Sequence, residues 1–242
     1  MRKALLIILA IVGCAVLGAV YVGHSAYRAI RDAMTSGCVN CVQVNNGGPM
    51  IKGSGNITTQ NRTVPPFTSI RLESPADVVI DRTGTQSLSV TADDNLVDLL
   101  TSAVKDGVLY LGVPKGKSFQ AKSLIYQITV ADLRGIDLRG SGDIKADHLD
   151  GPALSVSIAG SGDIRLTGRV EEFTLSVRGS GDVDAAGLQA KRARVDIGGS
   201  GDATVNASDT LDVRIAGSGD LTYLGSPKLT KDIHGSGSIS AR

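Results

Sequence analysis

The sequence has no tryptophan and few other aromatic residues, with five Tyr and three Phe in 242 residues. This scarcity does not fit a carbohydrate cleft lined with stacking rings. Neither sign of charge is in excess, because 25 Lys and Arg face 24 Asp and Glu. Such a chain has no global field that would attract it to nucleic acid or to an anionic membrane surface. We therefore expect no nucleic-acid partner.

Cysteine and histidine are also scarce, with three residues of each. Cys38 and Cys41 form a lone Cys-x-x-Cys in a polar stretch, and the nearby sequence does not supply the four ligands of a structural zinc site. A redox pair would be expected at a helix start beside a βαβ unit, and neither is visible. We interpret Cys38 and Cys41 as a local disulfide or an interchain bridge in an oxidising compartment.

The N-terminus carries an uncharged, mainly apolar run from Ala4 to Gly23 after two basic residues. As a helix it would rise about 30 Å, which matches the hydrocarbon thickness of a bilayer. Three fates fit: an uncleaved anchor, a removed signal peptide, or a lipoprotein signal with lipidation at Cys14. The run continues past Cys14 and no clean small-x-small cleavage site follows, which favours an uncleaved hydrophobic helix. We expect residues 1–26 to tether the protein to a membrane of the bacterial cell envelope, facing the periplasm or the exterior.

Glycine is abundant, and much of it lies in a tandem repeat. Gly-Ser-Gly-Asp occurs five times and Gly-Ser-Gly-Ser once, at spacings of 18 to 20 residues. A β-patterned repeat of about this period is typical of a solenoid, in which each coil buries its apolar side against its neighbours. We therefore predict an all-β parallel β-helix with coils of about 20 residues over residues 49–242. The repeated glycines are Gly140, Gly142, Gly160, Gly162, Gly179, Gly181, Gly199, Gly201, Gly217, Gly219, Gly235 and Gly237.

The apolar alternation keeps its phase through each pair of glycines. In one coil the positions that share a parity are Leu154, Val156, Ile158, Gly160, Gly162, Ile164 and Leu166. Since side chains two apart point to the same side of a strand, all of these are predicted to face the interior. We expect glycine at the corner because a side chain there would collide with the core, and because glycine tolerates the positive φ that a bend often needs.

The aspartates of the motif have the outward parity: Asp143, Asp163, Asp182, Asp202 and Asp220. If the coils stack in register, their carboxylates form a column spaced about 4.8 Å apart. Like charges at that distance repel by about 1 kcal/mol in bulk water. Relief would come from hydrogen bonds to turn N–H groups, from nearby Arg139, Lys145, Arg165 and Arg178, or from bound cations. Turn bonding is the ordinary remedy. The five aspartates are weak calcium candidates, because each coil brings only one carboxylate.

Two earlier segments look like altered copies of the motif. Gly53-Ser54-Gly55-Asn56 keeps both glycines, whereas Ser74-Pro75-Ala76-Asp77 has other small residues at those positions. Together with the regular array they predict seven or eight coils. An insertion at about residues 81–121 is predicted to contain a strand over 87–92, a short helical turn and a strand over 108–113. We expect it to cap one solenoid end, because an unprotected terminal coil offers an open strand edge. Residues 27–48 are expected to form a polar linker.

The tandem motif resembles the putative auto-transporter adhesin head GIN domain family, DUF2807. Phe67-Thr68-Ser69-Ile70 and the segment from Ser87 to Leu96 add to the resemblance, which covers about residues 51–242. It implies a right-handed β-helix in bacterial envelope proteins, with an adhesin-like role and no established catalytic residues. The chain departs from the common family pattern at Ser74-Pro75-Ala76-Asp77.

No catalytic constellation is recognisable in the sequence. His24, His148 and His234 are scattered, and the abundant serines occupy repeated outward positions. We therefore expect a non-catalytic cell-envelope binding or scaffolding module without a cofactor, which contacts an envelope glycan or a protein ligand. The alternatives are a polysaccharide-processing β-helix enzyme, by fold analogy alone, and an accessory envelope lipoprotein.

Overall fold

The computed structural model describes residues 42–242. The expected anchor at residues 1–26 lies outside the described residues, as do Cys14, His24, Cys38 and Cys41. Within residues 42–242, no helix combines the length and the apolar character needed to cross a bilayer.

The described residues form eighteen β-strands and a single 3-10 turn at Val97–Leu99. The fold is all-β, as the repeat predicts. In chain order the strands are β1 (Val42–Val44), β2 (Met50–Lys52), β3 (Ile57–Asn61), β4 (Ser69–Leu72), β5 (Asp77–Arg82), β6 (Ser87–Asp93), β7 (Thr101–Lys105), β8 (Val108–Gly112), β9 (Ser118–Ala121), β10 (Leu124–Val130), β11 (Gly135–Leu138), β12 (Ile144–Ile158), β13 (Ile164–Val177), β14 (Val183–Ile197), β15 (Ala203–Ile215), β16 (Leu221–Leu224), β17 (Lys228–Ile233) and β18 (Ile239–Ala241).

The long strands β12 to β15 stack as parallel coils, each paired with the next along nearly its whole length. The first half of each strand follows one Gly-Ser-Gly-Asp corner, and the second half precedes the next corner. Strand β11 adds to the second half of β12, and β5 adds to its first half. At the other end, β16 and β17 pair with the two halves of β15. The result is a β-solenoid of about five turns.

The interior of the solenoid follows the predicted parity. Val156, Leu175, Val195 and Val213 occupy one register position in four successive coils, and each is at most 4% exposed. Burying an aliphatic side chain of this size contributes about 1.5 to 3 kcal/mol. Ordering the twenty residues of a coil costs about 20 kcal/mol or more, which the few inward side chains of a single coil do not offset, so each coil depends on its neighbours for stability.

The insertion, together with the neighbouring strands β3 and β10, covers the two strand edges at the N-terminal end of the stack. Strand β8 pairs with β4, and β7 completes a hairpin with β8. Strand β10 pairs with β5, and β6 and then β3 extend that sheet. The hairpin turn has positive φ at both Asp106 (51°) and Gly107 (75°), as Asp-Gly turns favour. Strands β1, β9 and β2 form a separate small sheet.

The segment Gly53-Ser54-Gly55-Asn56 is not a solenoid corner, so the prediction of a coil there was wrong. The flanking strands leave the stack: β2 pairs with β9, and β3 runs antiparallel to β6. Gly55 has a φ of +86° and donates its N–H to the carboxylate of Asp93 at 2.7 Å. Without this segment the stack has fewer coils than the seven or eight expected. Ser74-Pro75-Ala76-Asp77, in contrast, lies at the first corner, directly beneath Gly140 and Gly142.

Candidate functional site: the repeated corner and the polar face

The repeated glycines let successive coils approach each other at the corner. A Cβ added to Gly160 would lie 1.9 Å from the carbonyl oxygen of Gly140, and one on Gly162 would lie 2.1 Å from that of Gly142. The same relation recurs at Gly179, Gly199, Gly217 and Gly235. The obstacle is therefore the backbone of the preceding coil and not the core, which corrects the reason we expected.

Positive φ is not the reason for these glycines either. Among the described residues, glycines with positive φ lie elsewhere, at Gly47, Gly55, Gly84, Gly107, Gly116, Gly168 and Gly225. The repeated corner thus uses an ordinary backbone conformation. It selects glycine through interatomic distance alone, which explains why two glycines recur in every coil.

The aspartates of the motif form a ladder of side-chain to backbone hydrogen bonds. Oδ1 of Asp143 accepts the backbone N–H of Asp163 at 2.9 Å, and Oδ1 of Asp163 accepts that of Asp182 at 2.8 Å. Asp202 and Asp220 continue the series at 2.7 Å each. The ladder thus ties each corner to the next and offsets carboxylate repulsion with N–H donors, the first of the three expected remedies.

A second hydrogen bond runs between the same two coils in the opposite direction. The backbone N–H of Ile144 donates to the carbonyl oxygen of Asp163 at 2.9 Å, and Ile164 does the same to Asp182. Asp163 therefore bonds the preceding coil through its backbone N–H and carbonyl oxygen, and the following coil through its side chain. Because both bonds fix the same register, the corner sets the vertical alignment of the stack.

The ladder begins and ends on residues that differ from the repeat. Asp77 of the degenerate corner accepts the N–H of Asp143 at 3.1 Å, and Asp220 accepts the N–H of Ser238 at 2.6 Å. Partial burial raises the pKa of the Asp77 carboxyl, although its outer side reaches solvent. The N–H of Asp143 opposes that shift, and the nearby Asp143 carboxylate adds to it.

Three of the four nearby basic side chains pair with carboxylates outside the ladder. Arg139 lies 3.0 Å from Asp137, Lys145 lies 2.7 Å from Asp147, and Arg165 lies 2.8 Å from Asp184. Among residues 42–242, no three His, Cys, Asp or Glu side chains are grouped so that they could hold a metal ion. The weak calcium hypothesis for the aspartate column therefore gains no support from geometry.

The two described histidines lie at separate exposed positions. Nδ1 of His148 is 2.8 Å from Oδ1 of Asp81, and Nε2 of His234 is 2.8 Å from Oδ1 of Asp232. Each pairs with a carboxylate at the surface, and the described geometry brings no serine into either pair. Each histidine is therefore the partner of one carboxylate at the surface.

Besides the repeated corner, the solenoid has a polar sheet face, called the polar face below. It is formed by the outward side chains of β4, β11, β17 and the second halves of β12 to β15. With β8 beside β4, eight parallel strands follow one another in register. At the usual strand spacing this polar face spans about 34 Å. It is continuous because every strand in it has a hydrogen-bonded neighbour.

The chemistry of the polar face changes along the stack. Its centre carries small hydroxyl residues, among them Ser155 and Thr174, which are opposite each other in register. Further along, Arg194 lies opposite Asp212, and Asp196 lies opposite Arg214. Sequence reasoning gave these residues only an outward parity, because the pairing of one coil with the next needs the register.

At the N-terminal end of the polar face, Arg71 joins two strands. Its guanidinium lies 5.2 Å from the centre of the Tyr110 ring, within cation–π range, and its Nε lies 2.7 Å from Asp137. This places one of the few aromatic rings beside a hydroxyl-rich surface. The sequence showed no signal for this cluster, because its three members are far apart in the chain.

Comparison with known proteins agrees with this geometry. The model of the family described as "Putative auto-transporter adhesin, head GIN domain" (DUF2807) matches residues 66–227. A putative adhesin from Bacteroides fragilis has a similar structure, with a TM-score of 0.67, 26% identity, and coverage of 79% of this chain and 100% of that one. A putative lipid binding protein from Parabacteroides distasonis gives a TM-score of 0.51 at 27% identity, covering 80% of this chain and 100% of that one.

A putative adhesin from the same species, at 23% identity and a TM-score of 0.50, shares the fold over 80% of this chain and 100% of its own. No curated protein matches the sequence significantly. The family model spans more than half of the chain and includes five of the six repeated corners. The chain therefore belongs to the DUF2807 family, the head GIN domain of putative auto-transporter adhesins.

Proposed function

We propose that this protein is a non-catalytic binding or scaffolding module of the bacterial cell envelope, with an adhesin-like role. The observation that carries the proposal is the polar face, a continuous surface of eight strands held in register by the corner ladder. A rigid, flat and hydroxyl-rich surface suits contact with an extended partner. Membership of a family named for adhesins supports the same function.

The proposal places the protein at a membrane, facing the periplasm or the exterior. The apolar run at residues 4–23 would tether it, either as a retained helix or through lipidation at Cys14. Cys38 and Cys41, in the linker at residues 27–48, would form a disulfide in that oxidising compartment. We also propose that the solenoid winds in the right-handed sense, as the family resemblance implies.

The partner that best fits the polar face is an envelope glycan or a protein ligand. Ser and Thr hydroxyls, alternating Arg and Asp, and the Tyr110 ring supply hydrogen bonds and one stacking surface. A lipid fits less well: among residues 42–242, the large hydrophobic side chains that are well exposed are Met50 (46%) and Ile233 (39%). These two do not form a broad apolar patch of the kind that marks lipid contact.

A binding screen tests the proposal. Residues 42–242 contain both partners of every described strand pair, so this fragment would be screened against envelope glycans and extracellular matrix proteins, with and without calcium. Replacing Ser155 and Thr174 with Arg should weaken any binding at least tenfold. The matched control, Thr204→Arg on the first half of β15, lies off the polar face and should bind normally.

Two results would contradict the proposal. Binding that survives the Ser155→Arg, Thr174→Arg double substitution would show that the polar face is not the contact surface. New reducing ends or unsaturated sugars after incubation with polysaccharides would show an enzyme instead. Either result is distinguishable from misfolding, because the circular dichroism and thermal midpoint of each variant are recorded first.

A further inference from the structure

The last described coil, residues 228–241, has a neighbour on one side only. Strand β17 pairs with β15 and β18 pairs with β16, and within residues 42–242 no strand pairs with the other edge of either. Ile233 at the end of β17 is 39% exposed, whereas its register partner Ile215 is fully buried. An open strand edge beside apolar side chains is the arrangement that promotes pairing between chains.

Toward the preceding coil, this coil keeps the paired glycines and two of the inward apolar positions of the repeat. Leu229 and Ile233 lie in register with Leu211 and Ile215 on the inward side. A Cβ on Gly235 would lie 1.8 Å from the carbonyl oxygen of Gly217, and one on Gly237 would lie 2.0 Å from that of Gly219. The coil is therefore built to stack on its predecessor.

On its other side, this coil lacks two features that each interior coil presents to the coil that follows it. The inward column Val156, Leu175, Val195 and Val213 ends on Lys231. The aspartate ladder ends on Ser238, whose N–H and Oγ both donate to Oδ1 of Asp220, at 2.6 and 3.0 Å. Ser238 has no carboxylate with which to accept the N–H of a further coil.

We propose that residues 228–241 form a cap that prevents another chain, in particular a second copy of this protein, from stacking on the open end. Any coil placed on β17 would enclose the Lys231 ammonium in an apolar column, and burying an unpaired charge is strongly unfavourable. A charged side chain at an inward edge position is one way in which β-proteins avoid edge-to-edge pairing. Lys231 thereby keeps the solenoid end free, although Ile233 stays exposed.

The sequence of β17 indicates the specific pairing between two chains that Lys231 would prevent. In an antiparallel pairing of two β17 strands centred on Thr230, Lys228 of one copy would face Asp232 of the other, twice. Opposite charges directly across a strand pair are favourable. The same pairing places position 231 of one copy opposite Leu229 of the other on the inward side. An apolar residue at position 231 would therefore complete a self-complementary edge.

The test compares the full chain with its variants in detergent, which keeps the N-terminal apolar run in solution. Lys231→Val should double the protein mass in sedimentation velocity at about 100 µM, where an interface of micromolar Kd is occupied. The wild type should keep the mass of the monomer. Thr230→Val, which adds an apolar residue on the outward side of the same strand, should match the wild type. Adding Asp232→Lys to Lys231→Val should restore the monomer mass, because Lys228 of one copy would then face a lysine of the other.

The proposal is overturned if Lys231→Val keeps the wild-type mass, if Thr230→Val associates equally, or if the wild type itself pairs through β17. Hydrogen exchange separates these cases, because the β17 amides become protected only where that edge is paired. Lys231→Ile serves as a second variant in case the first fails to fold. These outcomes are independent of ligand binding by the polar face.

Discussion

Oδ1 of Asp163 accepts a hydrogen bond from the backbone N–H of Asp182, nineteen residues later in the chain, at 2.8 Å. Because this bond joins one coil to the next, we predict that Asp163→Ala destabilises the protein by about 1 kcal/mol, the usual net value of a hydrogen bond. Asp163→Asn keeps an acceptor oxygen and should cost less. Urea denaturation of both variants measures the difference. Equal loss in the two would show that carboxylate charge, and not the hydrogen bond, matters at this corner.

The sequence was sufficient to predict a β-solenoid and the inward side chains of its regular coils, but not the number of coils. A parity that continues through each glycine pair fixes which side chains face inward, and Leu154, Val156 and Ile158 are all buried. The aspartates were predicted to bond turn N–H groups, but the partner is on the next coil. Sequence alone could not identify it, because the donor is defined by register between coils rather than by the local turn.

The first copy of the motif shows where a local pattern is insufficient. Gly53-Ser54-Gly55-Asn56 resembles a corner better than Ser74-Pro75-Ala76-Asp77 does, yet the latter occupies the corner. Ser74 and Ala76 are tolerated as the first layer, because their carbonyl oxygens receive Gly140 and Gly142 from above. Glycine is required only where a coil has another corner beneath it. The polar face and the Arg71 cluster likewise depend on pairings that no single segment encodes.

The neighbouring glycines Gly198 and Gly199 separate close approach from backbone freedom. A Cβ on Gly199 would lie 2.0 Å from the carbonyl oxygen of Gly179, whereas one on Gly198 has its nearest atom, the Val177 oxygen, at 3.9 Å. We predict that Gly199→Ala costs about 3 kcal/mol or more, since the coils must separate. Gly198→Ala should be neutral or stabilise by about 0.4 to 1 kcal/mol through the unfolded state. Thermal unfolding of the pair checks this. Similar midpoints for the two variants would refute the steric explanation of the motif.

Asp93 connects three segments at the N-terminal end of the stack. Its side chain is fully buried, and its two carboxylate oxygens accept the N–H groups of Gly55 and Lys122, each at 2.7 Å. Asp93→Ala leaves both donors without this partner, so we expect a loss of about 2 kcal/mol. Asp93→Asn retains one good acceptor and should lie between Ala and the wild type.

Hydrogen exchange provides the local measurement for Asp93. The amides of Gly55 and Lys122 should exchange faster in Asp93→Ala, while those of β13 and β14, in the middle of the stack, should change little. Uniformly faster exchange across the solenoid would mean instead that Asp93 supports global stability and not only the contacts of Gly55 and Lys122.

Asp77 gives the solenoid a pH dependence that one substitution removes. Partial burial holds its pKa above the ordinary value, so the folded state binds the proton more tightly than the unfolded chain. As the pH rises from about 4, the usual carboxyl value, through the raised pKa, this group lowers the stability of the wild type. Below that interval both states are protonated and the effect vanishes. Asp77→Asn keeps an oxygen for the N–H of Asp143 but does not titrate.

The stability of Asp77→Asn relative to the wild type should therefore rise as the pH increases from about 4 through the raised pKa of Asp77, and then stay constant. Urea denaturation at several pH values measures this difference, in which the other titrating groups largely cancel. Asp147→Asn is the matched control of opposite sign: burial raises the pKa of Asp147, but hydrogen bonds from Lys145 and Thr167 together with the Lys145 charge outweigh it, so that the pKa is lowered. Its relative stability should fall over the acidic range as the pH rises. If Asp77→Asn follows the same downward course, the first corner does not hold a desolvated carboxylate, and Asp77 joins the ladder as an ordinary exposed acceptor.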